Sequence, residues 1–206
     1  MTKEFSGQKI FGEACNLVAS DDIRAISLFK KAAAAGHPLA ASNLGIAFYY
    51  GDGVEQSYKV AMEYFIKASD EDPTSANYYI GLMKLCGQAG PTDVDGALGH
   101  IETAAMHGMA EAQYELGKLY KIGRPPQIKI DFRRAIHWFA YAAKQGHQEA
   151  NNEFGQLYYQ GYETSGKPTG FWFEREQIEK INIPADEPFN VLVKQGEYLL
   201  GDPPTD

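Results

Sequence analysis

The chain has 206 residues, enough for one sizeable core or for a short stack of repeated units, and its 27 acidic against 19 basic side chains leave a net charge of −8. That balance argues against a nucleic-acid surface, which needs a surplus of Lys and Arg to meet phosphates. No apolar run is long enough to cross a bilayer or to form a secretion signal, and two cysteines, Cys15 and Cys86, make neither a disulfide framework nor a zinc site. The expectation is a cytoplasmic protein without metal, cofactor or membrane contact, its cysteines serving as small apolar residues on helices.

In chain order, Ile10-Phe11-Gly12 aligns with Asn43-Leu44-Gly45 and predicts a first helix followed by a shortened turn. From there two glycine columns stay in phase. Gly45, Gly81, Gly117 and Gly155 are separated by 36, 36 and 38 residues, and Gly51, Gly87, Gly123 and Gly161 repeat those intervals six residues later. Ala40, Ala76, Ala112 and Ala150 keep the same register, as do Ala25, Ala61, Ala97 and Ala135 and then Ala32, Ala68, Ala104 and Ala142. A period of this size specifies stacked supersecondary units.

Each unit reads as two helices. The first carries Leu-Gly and aromatics, as in Leu44 to Tyr50, and the second carries an apolar stripe at helical spacing, as in Ala135 to Ala143. A glycine repeated in mid-helix costs about 1 kcal/mol against Ala, which close approach of a neighbouring helix offsets. Phe29, Phe65, Ile101 and Phe139 are expected to fill the space between the helices. Asp21, Ser57, Asp93 and Asp131 stand where a side-chain oxygen caps the second helix, and Gly36, Gly108 and Gly146 close it, with Asp72 in the glycine place of one unit. Gly123 to Ile130 is two residues longer than its counterparts and, with Pro125 and Pro126, predicts a loop. The count is four helix pairs and an unpaired first helix near 149–160: an all-α superhelical solenoid of about four and a half helix-turn-helix repeats over residues 1–161.

The tail, 162–206, differs in composition, with 9 acids against 4 bases where residues 1–161 hold 18 and 15. Phe171 to Lys180 predicts a short helix, and Pro184, Pro188, Pro203 and Pro204 punctuate the rest. A terminal repeat leaves an apolar face open, so Phe171, Trp172 and Phe173 are expected to cap it or to contact the groove.

Ala112 to Gly123, read as Ala-x-x-x-Leu-Gly-x-x-Tyr-x-x-Gly, then Asp131, Ala135, Trp138-Phe139 and Ala142-Ala143, resemble the Sel-one-like repeat family, relatives of tetratricopeptide repeats. So does Asn43-Leu44-Gly45 through Gly51-Asp52-Gly53-Val54. The resemblance spans about residues 8–161 and implies an interaction scaffold or adaptor that grips a protein or peptide on a concave face lined by first helices. A bacterial immunity protein or inhibitor of a toxin or effector is a narrower form of it. Lys84, Leu85 and Gly99-His100-Ile101 depart from the aromatic pattern, which predicts a looser or bent third pair.

On first helices the variable positions are Ser42, Asn43, Tyr78, Tyr79, Tyr114, Glu115, Asn152 and Glu153, joined by Tyr50, Lys118 and Lys121. Asn43, Tyr50, Tyr78, Tyr79, Tyr114, Glu115, Lys118, Lys121 and Asn152 form the expected partner-binding set, since tyrosine buries much area at little entropic cost. Lys118, Lys121, Arg124, Lys129, Arg133 and Arg134 crowd into a stretch with one acid, Asp131, and suit an acidic partner or the acidic tail. Catalysis finds little support. Gly161 to Lys167 has phosphate-loop spacing, but Pro168 replaces the metal-holding hydroxyl. The five histidines read as surface polar residues, without a Cys or acid at catalytic spacing. The alternative class is a hydrolase with a cryptic site in the groove.

Overall fold

The computed structural model describes residues 3–18 and 22–160. Among them the chain forms α1 (Lys3–Cys15), α2 (Asp22–Ala34), α3 (Pro38–Tyr50), α4 (Tyr58–Ala68), α5 (Ser75–Cys86), α6 (Val94–Met106), α7 (Ala110–Ile122), α8 (Phe132–Lys144) and α9 (Gln148–Gln160). This is the expected all-α helix-turn-helix repeat architecture, four pairs and an unpaired first helix. The packing divides into two compact units, one through Met109 and one from Ala110. The expected cap at Asp21 and the aromatic trio Phe171, Trp172 and Phe173 lie outside the described residues.

Local signals account for the helix ends. The side chains of Ser57, Asp93 and Asp131 accept the backbone N–H of Val60, Gly96 and Arg134 respectively. Their own N–H groups reach back across the turn to the carbonyls of Phe48, Lys84 and Tyr120 at 2.8–3.0 Å. One bond at one repeat position therefore fixes the turn three times. The longer turn keeps it, because Arg124 and Ile128 exchange backbone hydrogen bonds of 2.7 and 2.9 Å and absorb the two extra residues. Ile128 is buried in that loop, an anchor its sequence context did not announce.

Gly36, Gly108 and Gly146 end the second helices, each followed by a residue whose N–H returns to an alanine carbonyl five positions back. Asp72 occupies the same column but does another task. It is buried, its carboxylate accepts Ser42 Oγ at 2.6 Å and the N–H of Ser75 at 3.2 Å, and so it ties α3 to the start of α5. Ser42 is correspondingly buried and is not a surface position.

The glycine column works by contact. A Cβ on Gly45 would lie 2.6 Å from the Phe65 ring, on Gly117 2.4 Å from Phe139, and on Gly81 2.5 Å from Ile101 and 3.1 Å from the Ala97 carbonyl. These are the residues expected between the helices, and Phe65, Ile101 and Phe139 are fully buried there. The third pair is thus not loose: Ile101 takes the aromatic's place and the backbones of α5 and α6 close on it. Gly12 has no such neighbour, and Phe29 packs instead on Phe11, with ring centroids 5.7 Å apart.

Candidate functional site

In the first unit the aromatic end of α3 meets α5. Tyr79 on α5 stacks on the buried Phe65 ring, centroids 5.0 Å apart and nearly parallel, which fixes it against the core. Around it stand Tyr49 at 5.2 Å, Tyr78 at 5.3 Å and Tyr50 at 6.2 Å, mostly tilted or edge-to-face, the geometry aromatic quadrupoles favour. Tyr58 adds its edge to Tyr49 at 5.4 Å, and Gln56 donates its amide to the Tyr49 carbonyl at 2.8 Å. Tyr50 is 56% exposed, whereas Tyr49, Tyr58, Tyr78 and Tyr79 are half-buried.

Burial pushes the Tyr79 phenol far above its ordinary range, helped by the Tyr50 hydroxyl 3.5 Å away, and burial likewise raises Tyr49. The Tyr79 and Tyr49 phenols therefore stay uncharged within the cluster. Asn43 is half-buried on α3. The sequence expectation included Tyr50, Tyr78 and Tyr79 but missed Tyr49 and Tyr58. The available signal was the unbroken Phe48-Tyr49-Tyr50 run, which helical periodicity alone splits between two faces.

In the second unit Tyr114 is half-buried between Phe139 at 5.8 Å and His147 at 4.5 Å, with Lys118 Nζ 5.2 Å from its ring centre. Lys118 also pairs with Glu115 at 2.7 Å, and Lys121 on α7 pairs with Glu153 on α9. Arg134 donates to the Tyr120 hydroxyl at 3.2 Å and lies against Asp131. Three of the six bases in the basic stretch are thus engaged within the unit, while Arg124, Lys129 and Arg133 are exposed. Asn152 is exposed on α9.

The histidines correct the surface reading. His37, His100, His137 and His147 are half-buried and His107 alone is exposed. Burial lowers the pKa of His37, His100 and His137. His100 Nδ1 lies 2.7 Å from Asn77 Oδ1, and because the Asn77 amide donates to the Pro73 carbonyl, the imidazole is the donor. His147 Nδ1 lies 3.3 Å from both the Ala150 N–H and Glu149 Oε2. The carboxylate side chain is 69% exposed, so the helix cap is the stronger contact. Cys15 and Cys86 sit on helices as expected but are exposed, not packed. Among the described residues no helix is long and apolar enough to cross a membrane.

Residues 11–37, 38–73, 74–109 and 110–147 each match the Sel1 repeat. The chain is 32% identical over 135 residues to Chitin synthase regulatory factor 4 of Schizosaccharomyces pombe, covering 65% of this chain and 20% of that protein. It is 36% identical over 116 residues to Alginate biosynthesis protein AlgK of Azotobacter vinelandii, covering 56% and 25%. The crystal structure of a Sel1 repeat protein from Oxalobacter formigenes is similar with a TM-score of 0.64 at 32% identity, over 70% of this chain and 43% of that one. The chain thus spans a fifth to a quarter of the length of these curated relatives. With four matched repeats occupying well over half of its residues, the chain belongs to the Sel1 repeat family.

Proposed function

We propose that the protein is a non-catalytic interaction scaffold that takes a protein or peptide partner on the tyrosine platform of its first unit. The observation that carries this reading is Tyr50, a large aromatic left more than half exposed while its neighbours hold it in one place. An anchor ordered before binding loses little entropy when a partner arrives. Exposed tyrosine flanked by half-buried rings is also the composition of binding hot spots. The name of one relative, a regulatory factor of chitin synthase, supports a regulatory role. In the same reading Tyr114, Glu115, Lys118, Lys121 and Asn152 form a separate polar contact surface on the second unit. The narrower reading as an immunity protein has no residue of this chain behind it and is not part of the proposal.

The test places a photo-crosslinking phenylalanine analogue at position 50 and, as control, at exposed Ile66 on α4. Position 50 should capture a discrete host protein that position 66 does not, and Tyr78→Ala should reduce the yield. Equal capture from both positions would refute the platform.

A further inference from the structure

A second feature of the first unit shares no residue with the tyrosine platform. A cleft of about 350 Å³ separates α2 from α4, over the amino-terminal end of α3. Ala33, Ala34, Gly36 and Ala41 line it with small groups, of which only Ala41 is buried. Its walls carry Lys30 from α2 and Tyr64 and Lys67 from α4, with Glu71 at one end.

The two lysines are held by one aromatic pair. Phe48 and Tyr64 stack with centroids 5.7 Å apart, Lys30 Nζ lies 5.9 Å from the Phe48 centre and Lys67 Nζ 5.4 Å from the Tyr64 centre. Neither ammonium has a carboxylate within ion-pair distance among the described residues, although Glu71 follows in the turn after α4. This contrasts with Lys118, which also sits over a ring but is neutralised by Glu115. His37 adds no charge: its Nε2 lies 2.7 Å from Gln8 Oε1 and burial holds the ring neutral.

We infer that this cleft binds an acidic, glutamate-bearing segment of a partner protein. Two cations lining one cleft can fix carboxylates, while its alanines and the Tyr64 ring cover the methylenes that a glutamate side chain brings with it. Glu71 disfavours a compact doubly charged anion such as phosphate and offers an acceptor to a peptide N–H. The volume, at the small end for ligand sites, suits a few side chains and not a folded surface.

The test is fluorescence anisotropy on the full chain with a labelled, acetylated octapeptide of alternating Glu and Ala, beside its Gln-Ala counterpart. The Glu peptide should bind at least tenfold more tightly, lose that advantage in high salt, and bind at least tenfold more weakly to the Lys30→Ala/Lys67→Ala double variant. Lys30→Arg/Lys67→Arg should retain binding, and Tyr50→Ala should change it less than twofold, which separates this cleft from the platform. Circular dichroism verifies the fold of each variant. Equal binding of the two peptides, or unchanged affinity in the double alanine variant, would overturn the inference. So would full competition by free glutarate at peptide concentrations, since the site would then take small dicarboxylates.

Discussion

Replacing Gly81 by alanine should be costly in a way that Gly99→Ala, on the partner helix of the same pair, should not. A Cβ at position 81 would lie 2.5 Å from Ile101 Cγ1, 3.1 Å from the Ala97 carbonyl oxygen and 3.2 Å from the Ile101 nitrogen, where ordinary contact begins at 3.4 Å. Two of these neighbours are backbone, so relief requires α6 to move away from α5 and loosens the buried set of Ile80, Met83, Ala97 and Ile101. Overpacking of this kind costs about 1–3 kcal/mol. The gain of about 1 kcal/mol from alanine's helix preference offsets part of it. We expect a net loss of up to about 2 kcal/mol for Gly81→Ala in urea unfolding followed by circular dichroism. At Gly99 nothing lies within 4 Å, so alanine there should gain roughly 0.5–1 kcal/mol. Gly45→Ala should fall between them, because the three atoms nearest its Cβ would all belong to the Phe65 side chain. If Gly81→Ala and Gly99→Ala shift stability alike, the glycine column is not a packing device and the account of why the helices pair at this distance fails.

Asp72→Ala removes a buried acceptor of the Ser42 hydroxyl and the cap of α5, and should cost roughly 2 kcal/mol in the same assay. Asp72→Gly, which restores the glycine of the other repeats, should not recover the loss. The Gly96 N–H and then Lys84 lower the Asp93 pKa, so its stabilising contribution is present above the unfolded carboxylate pKa of about 3.9 and is lost as pH falls through the lower folded value. Acid titration of stability should accordingly be shallower in Asp93→Asn than in the parent. The Tyr79 phenol, raised by burial and by Tyr50, opposes the folded state once free tyrosine would ionise. Stability should be level below about pH 10 and fall above it, and Tyr79→Phe should flatten that fall.

Several elements were legible from residue spacing because they rest on local chemistry. Ser57, Asp93 and Asp131 cap helices through their own side chains within three residues, and glycine closes helices where φ is positive, so identity and position suffice. Asp72 was misread because its role is set by Ser42, thirty residues earlier, and nothing local distinguishes a replaced glycine from a buried crosslink. The histidines and cysteines were misjudged for a similar reason: half-burial of His137 or exposure of Cys86 depends on which neighbouring helix covers the face. Tyr50, Tyr78 and Tyr79 stand out by repeat position, but their meeting with Tyr49 and Tyr58 depends on the approach of α3 and α5.

By itself the sequence determined the helical class, the number of pairs and the family, since a period of 36 residues repeated in several columns admits one kind of solution: units that bury their apolar stripes against the next. Only the tertiary structure decided which glycines are closed upon, which tyrosines share a platform, and that Lys30 and Lys67 face one cleft. Those facts depend on side chains far apart in the chain reaching a common place, and periodicity records the spacing of residues along a helix without recording what the neighbouring helix presents to them.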